Sequence, residues 1–206
     1  MAPKYKLIYF NAAGRAEPIR YILSFAGQEF EDSRISREEW LTLKSKTPFG
    51  KVPVLEIEGK LVSQSNVIAR YLAKQFGLLG QDEATALRAD ELVGALDDMR
   101  MVTMRKFREE NPAAVENLQK EENYFLDKFE KIVTESSSGF LAGSQITWAD
   151  LTFASILSSE PISEEILKSY PGLSAYVAKI NNLPGIKQYL AQRPKSDLPP
   201  KGPHRH

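Results

Sequence analysis

The stretch Phe49–Leu72, FGKVPVLEIEGKLVSQSNVIARYL, decides the fold. After Pro53 it alternates apolar and polar residues, turns at Glu58-Gly59, and alternates again to Gln64, which predicts a β-hairpin. From Ser65 the period changes: Ile68, Leu72 and Phe76 recur every fourth residue and Gly77 follows, the pattern of an amphipathic helix with its stop. Pro53 stands at the mouth of the first strand, where a proline removes a ladder donor. Gln64 and Ser65 stand where the second strand becomes a helix, and a helix start offers free N–H groups and a positive dipole end to an anion. The plainer account of that pair is a helix cap.

Upstream, KYKLIYF reads as a strand and RAEPIRYILSFAG as a helix, with Pro18 in its first turn and Gly27 closing it. QEFEDSRI reads as a short strand, and SREEWLTLKSK opens a helix with Ser36 and Glu39 at capping-box spacing. The predicted order is βαβαββα. GLLGQDE is a linker, beyond which strand signals cease. Helices are predicted over residues 83–110 and 113–135, then TESSSGFLAGSQ as a loop, a helix from ITWADLTFASIL, and two more from PGLSAYVAKINNLPGIKQYLAQRP. The expected architecture is α/β plus all-α: a thioredoxin-like domain over residues 1–79 and an all-helical domain over 80–206. Within ITWAD, Thr147 caps the helix, Asp150 bonds back to the Thr147 amide, and Ile146 packs on Leu151, a structural role.

The 206 residues include no cysteine, which excludes disulfides, thiolate metal sites and a cysteine nucleophile in the chain itself. The two histidines, His204 and His206, sit together in PKGPHRH, so no histidine catalysis or zinc site is expected. Apolar runs are short, and the first residues have no signal-peptide core, so a cytoplasmic location is expected. Net charge is zero, which argues against general affinity for nucleic acid or membrane. Residues 1–80 carry twelve Lys and Arg against eight Asp and Glu, a balance of +4 that suits a small anionic ligand or reflects chance unevenness between two surfaces.

YKLIYFNAAGRAEPIRYIL, PFGKVPVLEI followed by QSNVIARYL, and ITWAD together resemble the cytosolic glutathione transferases across nearly the whole chain. Tyr in the first strand, PFGKVP and QS look most like the sigma class, which includes invertebrate detoxifying enzymes, glutathione-dependent prostaglandin D synthases and S-crystallins. The resemblance implies a cis bond before Pro53, turning the Val52 backbone outward to pair with glutathione like a short added strand. It implies that the helix start with Ser65, and Gln64 beside it, hold the γ-glutamyl end. Tyr9 is then the catalytic hydrogen-bond donor to the glutathione sulfur, favouring the thiolate; Tyr5, at the other end of the strand, is the rival. Arg15 reinforces the negative sulfur. Trp40 and Lys44, four apart on one helix face, hold the glycyl carboxylate with Lys51. Each has an ordinary alternative: packing for Tyr9 and Trp40, solvated charge for Arg15 and Lys51.

The resemblance further implies a homodimer in which Asp98 reaches glutathione in the partner subunit's site; the pair Asp97-Asp98 otherwise reads as solvated helix charge. Some prostaglandin D synthases bind a divalent cation near here, but the first aspartate of that set is Gly94 in this chain, so no metal is expected. Phe10, Gly14, Arg100, Met104, Arg105 and Thr152 match the electrophile pocket. The prostaglandin synthases have a tryptophan near Arg105 and a tyrosine near Thr152, both replaced here by polar residues, which argues against that isomerisation. The implied function is conjugation of the glutathione thiolate to hydrophobic electrophiles, with reduction of lipid hydroperoxides as a second use of the same thiolate. The rivals are an S-crystallin-like structural or carrier protein and a prostaglandin isomerase. Thiol–disulfide exchange is excluded because the chain has no cysteine.

Overall fold

The computed structural model describes residues 4–159 and 167–196. Four strands, β1 (Tyr5–Phe10), β2 (Glu31–Ile35), β3 (Val54–Ile57) and β4 (Lys60–Ser63), form one sheet in the order β2-β1-β3-β4. β1 and β2 run parallel; β3 is antiparallel to both β1 and β4. The hairpin turns at Glu58 (φ 50°) and Gly59 (φ 79°), two left-handed residues whose twist matches that of the strands they join.

Helix α1 (Glu17–Phe25) follows β1 after a 3-10 turn at Gly14–Ala16. It carries the chain over the sheet, and Ile19, Tyr21, Ile22 and Leu23 are fully buried. α2 (Arg37–Leu43) buries none of its residues and depends on its cap: Ser36 Oγ accepts the Glu39 N–H (3.1 Å) and the Glu39 carboxylate accepts the Ser36 N–H (2.7 Å). α3 (Ser65–Gln75) turns Ile68, Ala69, Leu72 and Ala73 inward, the face that the four-residue period predicts.

The second half is helical: α4 (Glu83–Arg108), α5 (Pro112–Glu135), α6 (Trp148–Leu157), α7 (Pro171–Asn181) and α8 (Pro184–Gln192). Every residue of α6 is buried, so that helix is apolar around most of its circumference and packs against α1, α4 and α7. Asp150 joins its N-terminus to the surroundings. Its carboxylate accepts the N–H (2.6 Å) and hydroxyl (2.8 Å) of Thr147, the N–H of Leu141 (2.8 Å), and the Tyr176 hydroxyl.

The hydrophobic core is continuous from Tyr5 in β1 to Ile186 in α8, crossing the linker. There the Trp148 N–H donates to the Leu78 carbonyl (2.9 Å). At the other end of α1, the chain at Gly185 comes so close that a Cβ would lie 2.2 Å from the Ser24 carbonyl oxygen. α1 is thus the layer that both halves share, facing α3 on one side and α6 and α8 on the other. Among the described residues no helix is long and apolar enough to cross a membrane.

Candidate active site

The sheet register brings four chain segments to one edge. β1 ends at Phe10 opposite Ile35, the end of β2; β3 begins at Val54, opposite Ile8 and Ser63. Tyr9 and Phe10, Ser36 with α2, Val52 and Pro53, and Gln64 with α3 therefore share that edge, where open α/β sheets bind ligands. Tyr5 lies at the other end, 2% exposed, opposite Ile57 and edge-on to Phe76 at 6.4 Å.

The loop after β1 shapes the surroundings of Tyr9. Its phenolic oxygen accepts the Arg15 N–H (3.2 Å), and among the described residues its own O–H has no acceptor. Gly14 (φ 46°) lies under the ring: a Cβ there would sit 2.5 Å from Tyr9 Oη, so only glycine permits both the turn and the approach. The Arg15 side chain crosses to α4, donating from Nη1 to Asp97 Oδ1 (3.0 Å) and from Nη2 to Met101 Sδ (3.5 Å).

On the hairpin side, the Val52-Pro53 bond is cis, and Val52 lies two residues beyond the last ladder pair. Pro53 is buried and Val52 half-buried. Gln64 caps α3 with φ 78° and ψ 102°, a conformation that L-residues rarely adopt, and its side chain accepts no first-turn N–H. The start of α3 is thereby left open to a ligand anion. Strained backbone of this kind collects at functional sites.

On the α2 side, Trp40 stands edge-on to Phe10 (6.0 Å), and Phe10 in turn to Tyr9 (5.7 Å). Lys44 closes α2, its N–H bonded to the Trp40 carbonyl, and its chain passes 3.9 Å from where a Gly50 Cβ would be, next to exposed Lys51. Phe10, Arg37, Glu38, Trp40 and Leu41 line a pocket of about 550 Å³.

The family model of the glutathione S-transferase N-terminal domain matches residues 5–74, and that of the C-terminal domain matches residues 97–193. Glutathione S-transferase 1 of Ascaris suum is 37% identical over 205 residues, covering 94% of this chain and 98% of that protein. The chain belongs to the glutathione S-transferase family. Solved relatives agree in shape. A prostaglandin synthase D of Nilaparvata lugens superposes with a TM-score of 0.82 at 39% identity, covering 94% of this chain and 100% of that one. A Nu-class glutathione S-transferase of Haemonchus contortus gives 0.84 at 32% (94% and 98% covered). A monomeric glutathione S-transferase of Necator americanus gives 0.82 at 34% (94% and 99%).

The protein is thus a glutathione transferase: a thioredoxin-like sheet with helices, followed by a helical half, in a family that uses glutathione as co-substrate. The expected glutathione residues Tyr9, Arg15, Trp40, Val52, Pro53, Gln64 and Ser65 stand around one sheet edge, with Lys44 and Lys51 beyond α2. Asp98 does not join them within the chain; it is exposed on α4. Its neighbour Asp97 is the carboxylate that meets Arg15. The sequence pairs the two aspartates without distinguishing them, because only the rotation of α4 against the β1–α1 loop decides which faces inward.

The positions matched to the electrophile pocket are spread in depth. Phe10, Gly14 and Met104 are partly exposed and Arg105 exposed, whereas Arg100 of α4 and Thr152 of α6 lie buried. The Thr152 hydroxyl has no partner among the described residues. Met101, which with Met104 the sequence offers as either an adaptable apolar wall or core, is 49% exposed and accepts a contact from Arg15. No group of three or more His, Cys, Asp or Glu suited to a metal occurs among the described residues; His204 and His206 lie outside them.

Proposed function

We propose that this protein is a sigma-class transferase in which Tyr9 ionises glutathione for attack on hydrophobic electrophiles. The observation that carries the reading is the Tyr9 phenol: its oxygen accepts the Arg15 N–H at 3.2 Å, and its O–H remains available to a sulfur. Accepting that bond polarises the phenol and strengthens it as a donor. A bond from Tyr9 to the charged form of the thiol lowers the thiol pKa, so more nucleophile exists at neutral pH. The sulfur lone pair then bonds to the electrophilic carbon, and a halide leaves or an activated alkene takes up the charge and a proton. Holding both reactants together supplies the remainder of the acceleration.

In this reading residues 1–79 form the glutathione-binding domain and 80–206 the domain that completes the electrophile pocket. Trp40, Lys44 and Lys51 hold the glycyl carboxylate; the Val52 backbone pairs with the cysteinyl unit; Gln64, Ser65 and the α3 N-terminus hold the γ-glutamyl end. Asp98 reaches the partner subunit's glutathione in a homodimer anchored by Phe49, which is 71% exposed. Phe10, Gly14, Met104 and Arg105 face the electrophile, with Arg100 and Thr152 behind them. Location is cytoplasmic, and lipid hydroperoxides are reduced by the same thiolate.

Tyr9→Phe tests the reading. The barrier to turnover of chlorodinitrobenzene should rise by about 2–3 kcal/mol, roughly a thirty- to 160-fold loss of rate. Unchanged turnover and thiol pKa would reject Tyr9 as the donor. A second reading, prostaglandin isomerisation, is favoured by the likeness to the Nilaparvata lugens prostaglandin synthase. Arg105 and Thr152 stand against it, and turnover of prostaglandin H2 with glutathione, measured beside an enal and cumene hydroperoxide, separates the two.

A further inference from the structure

Glu17 opens α1 with a fully buried carboxylate. It accepts Arg20 Nη1 (3.1 Å), the Tyr189 hydroxyl (2.9 Å) and Arg193 Nη1 (2.8 Å), so α8 and the residue after it close onto the start of α1. Arg20, also fully buried, donates from the same Nη1 to the Ala12 carbonyl (2.7 Å) and from Nε to Asp32 (3.0 Å). Burial works against the Arg20 charge, but Asp32 and Glu17 outweigh it and hold the guanidinium above its ordinary pKa. A second thread runs beside it: Arg34 donates to the Asn11 side chain (2.9 Å), and Asn11 donates to the Lys195 carbonyl (3.0 Å).

Both threads end on the loop that follows Tyr9. Asn11 and Ala12 are held directly, Gly14 lies against the Tyr9 hydroxyl, and Arg15 bonds to it. The Arg20 guanidinium carbon also lies 5.9 Å from the Tyr9 ring centroid. Packing alone does not require such a network, since well-packed apolar groups often replace buried ion pairs without loss of stability. α1 has another polar link to the helical half, from the Tyr21 hydroxyl to Asn181 (3.0 Å) and on to Ser158 (3.0 Å); its groups are uncharged and do not touch the loop.

We propose that Glu17, Arg20 and Arg193 are positioning residues for the transferase reaction, transmitting the seating of the chain after α8 to the Asn11–Arg15 loop and so fixing the Tyr9 phenol toward the thiol. The proposal rests on Tyr9 being the group that ionises glutathione. The test measures the bound thiol's pKa, from the pH dependence of thiolate absorbance, together with KM and kcat in the full chain. Arg193→Gln should raise that pKa by about half to one unit, a roughly three- to tenfold smaller acid dissociation constant of the thiol. KM for glutathione should stay within about twofold of wild type, because the residues assigned to the peptide's two ends are untouched. Arg193→Lys should recover most of the shift.

Asn11→Ala cuts the second thread at a more exposed bond and should shift the pKa in the same direction, which keeps the test open if Arg193→Gln folds poorly. Asn181→Ala should lower Tm and leave the pKa alone. The proposal fails if folded Arg193→Gln leaves the pKa unmoved while Tyr9→Phe raises it, if Arg193→Gln does not fold and Asn11→Ala leaves the pKa unmoved, or if Asn181→Ala moves it as far as Arg193→Gln does. Should Tyr9→Phe itself leave the pKa unchanged, the assignment of Tyr9 falls and the relay with it.

Discussion

Two carboxylates lie fully buried at helix starts, Asp150 in α6 and Glu17 in α1, and they are satisfied in opposite ways. Among the described residues, Asp150 is met only by uncharged donors: two N–H groups and the hydroxyls of Thr147 and Tyr176. Glu17 is met by two guanidinium groups and a phenol. Asp150 fastens the helical half to itself, joining α6, the preceding loop and α7. Glu17 fastens the helical half to the sheet half, beside the loop that holds Tyr9. The difference suggests a division of labour in which one carboxylate acts on stability alone and the other on stability and active-site geometry.

The largest effect should follow removal of either carboxylate. Asp150→Ala strands several buried donors and should cost about 3–5 kcal/mol of unfolding free energy, read by urea denaturation. Glu17→Ala leaves Arg20 buried beside Asp32 alone and should cost a similar ~3–5 kcal/mol. Activity per folded molecule separates them: retained in the Asp150 variant, reduced in the Glu17 variant. Equal loss of specific activity in both would break the comparison.

Glutathione affinity should depend on neither carboxylate and on the α3 start instead. Gln64→Ala and Ser65→Ala should each raise KM for glutathione by about 1.5–3 kcal/mol, roughly ten- to a hundredfold, with the second substrate's KM little changed. If either variant keeps wild-type affinity, the anion pocket lies elsewhere.

Alkaline titration probes the phenols at both centres. Burial pushes Tyr21 up to about 12. Tyr176 and Tyr189 are pushed higher still, first by burial and then by the Asp150 and Glu17 charges. Unfolded tyrosines lose their proton near pH 10, whereas these keep theirs. Above pH 10 the unfolded state therefore binds fewer protons, and stability, complete below pH 10, should fall by up to about 1.4 kcal/mol per pH unit for each phenol. Tyr176→Phe and Tyr189→Phe should each make that decline shallower; an unchanged slope in both would show that the phenols ionise freely in the fold.

The smallest effect belongs to Arg70 and Asp90, which join α3 to α4 at 2.8 Å with the Arg70 side chain 48% exposed. Arg70→Ala should cost no more than about 0.5–1 kcal/mol and should shrink further in high salt. A loss as large as that of Glu17→Ala would mean that exposed contacts, not the buried network, hold the halves together.

Features that rest on local rules were written in the chain. Alternation and period set the four strands and α3; Ser36 with Glu39 set the start of α2, and Thr147 with Asp150 that of α6; Glu58-Gly59 set the hairpin turn. The residues at the sheet edge were equally legible, because strand ends and helix starts follow from the same periodicity and the motifs around them resemble a known family. Tertiary structure decided what depends on how elements rotate and approach. Asp97 rather than Asp98 meets Arg15 because of how α4 packs on the β1–α1 loop. Met101 is half exposed beside Arg15 while Arg100 and Thr152 are buried, because the rotation of α4 and not the adjacency of 100 and 101 sets which is covered. Gln64 adopts φ 78° although nothing in its side chain calls for it. Glu17 meets Arg193 across 176 positions of sequence, where the two read only as ordinary charges near helix ends. Hydrogen bonding within a turn is encoded within a turn; a charge buried between two halves of a fold acquires its partner only when the halves close on it.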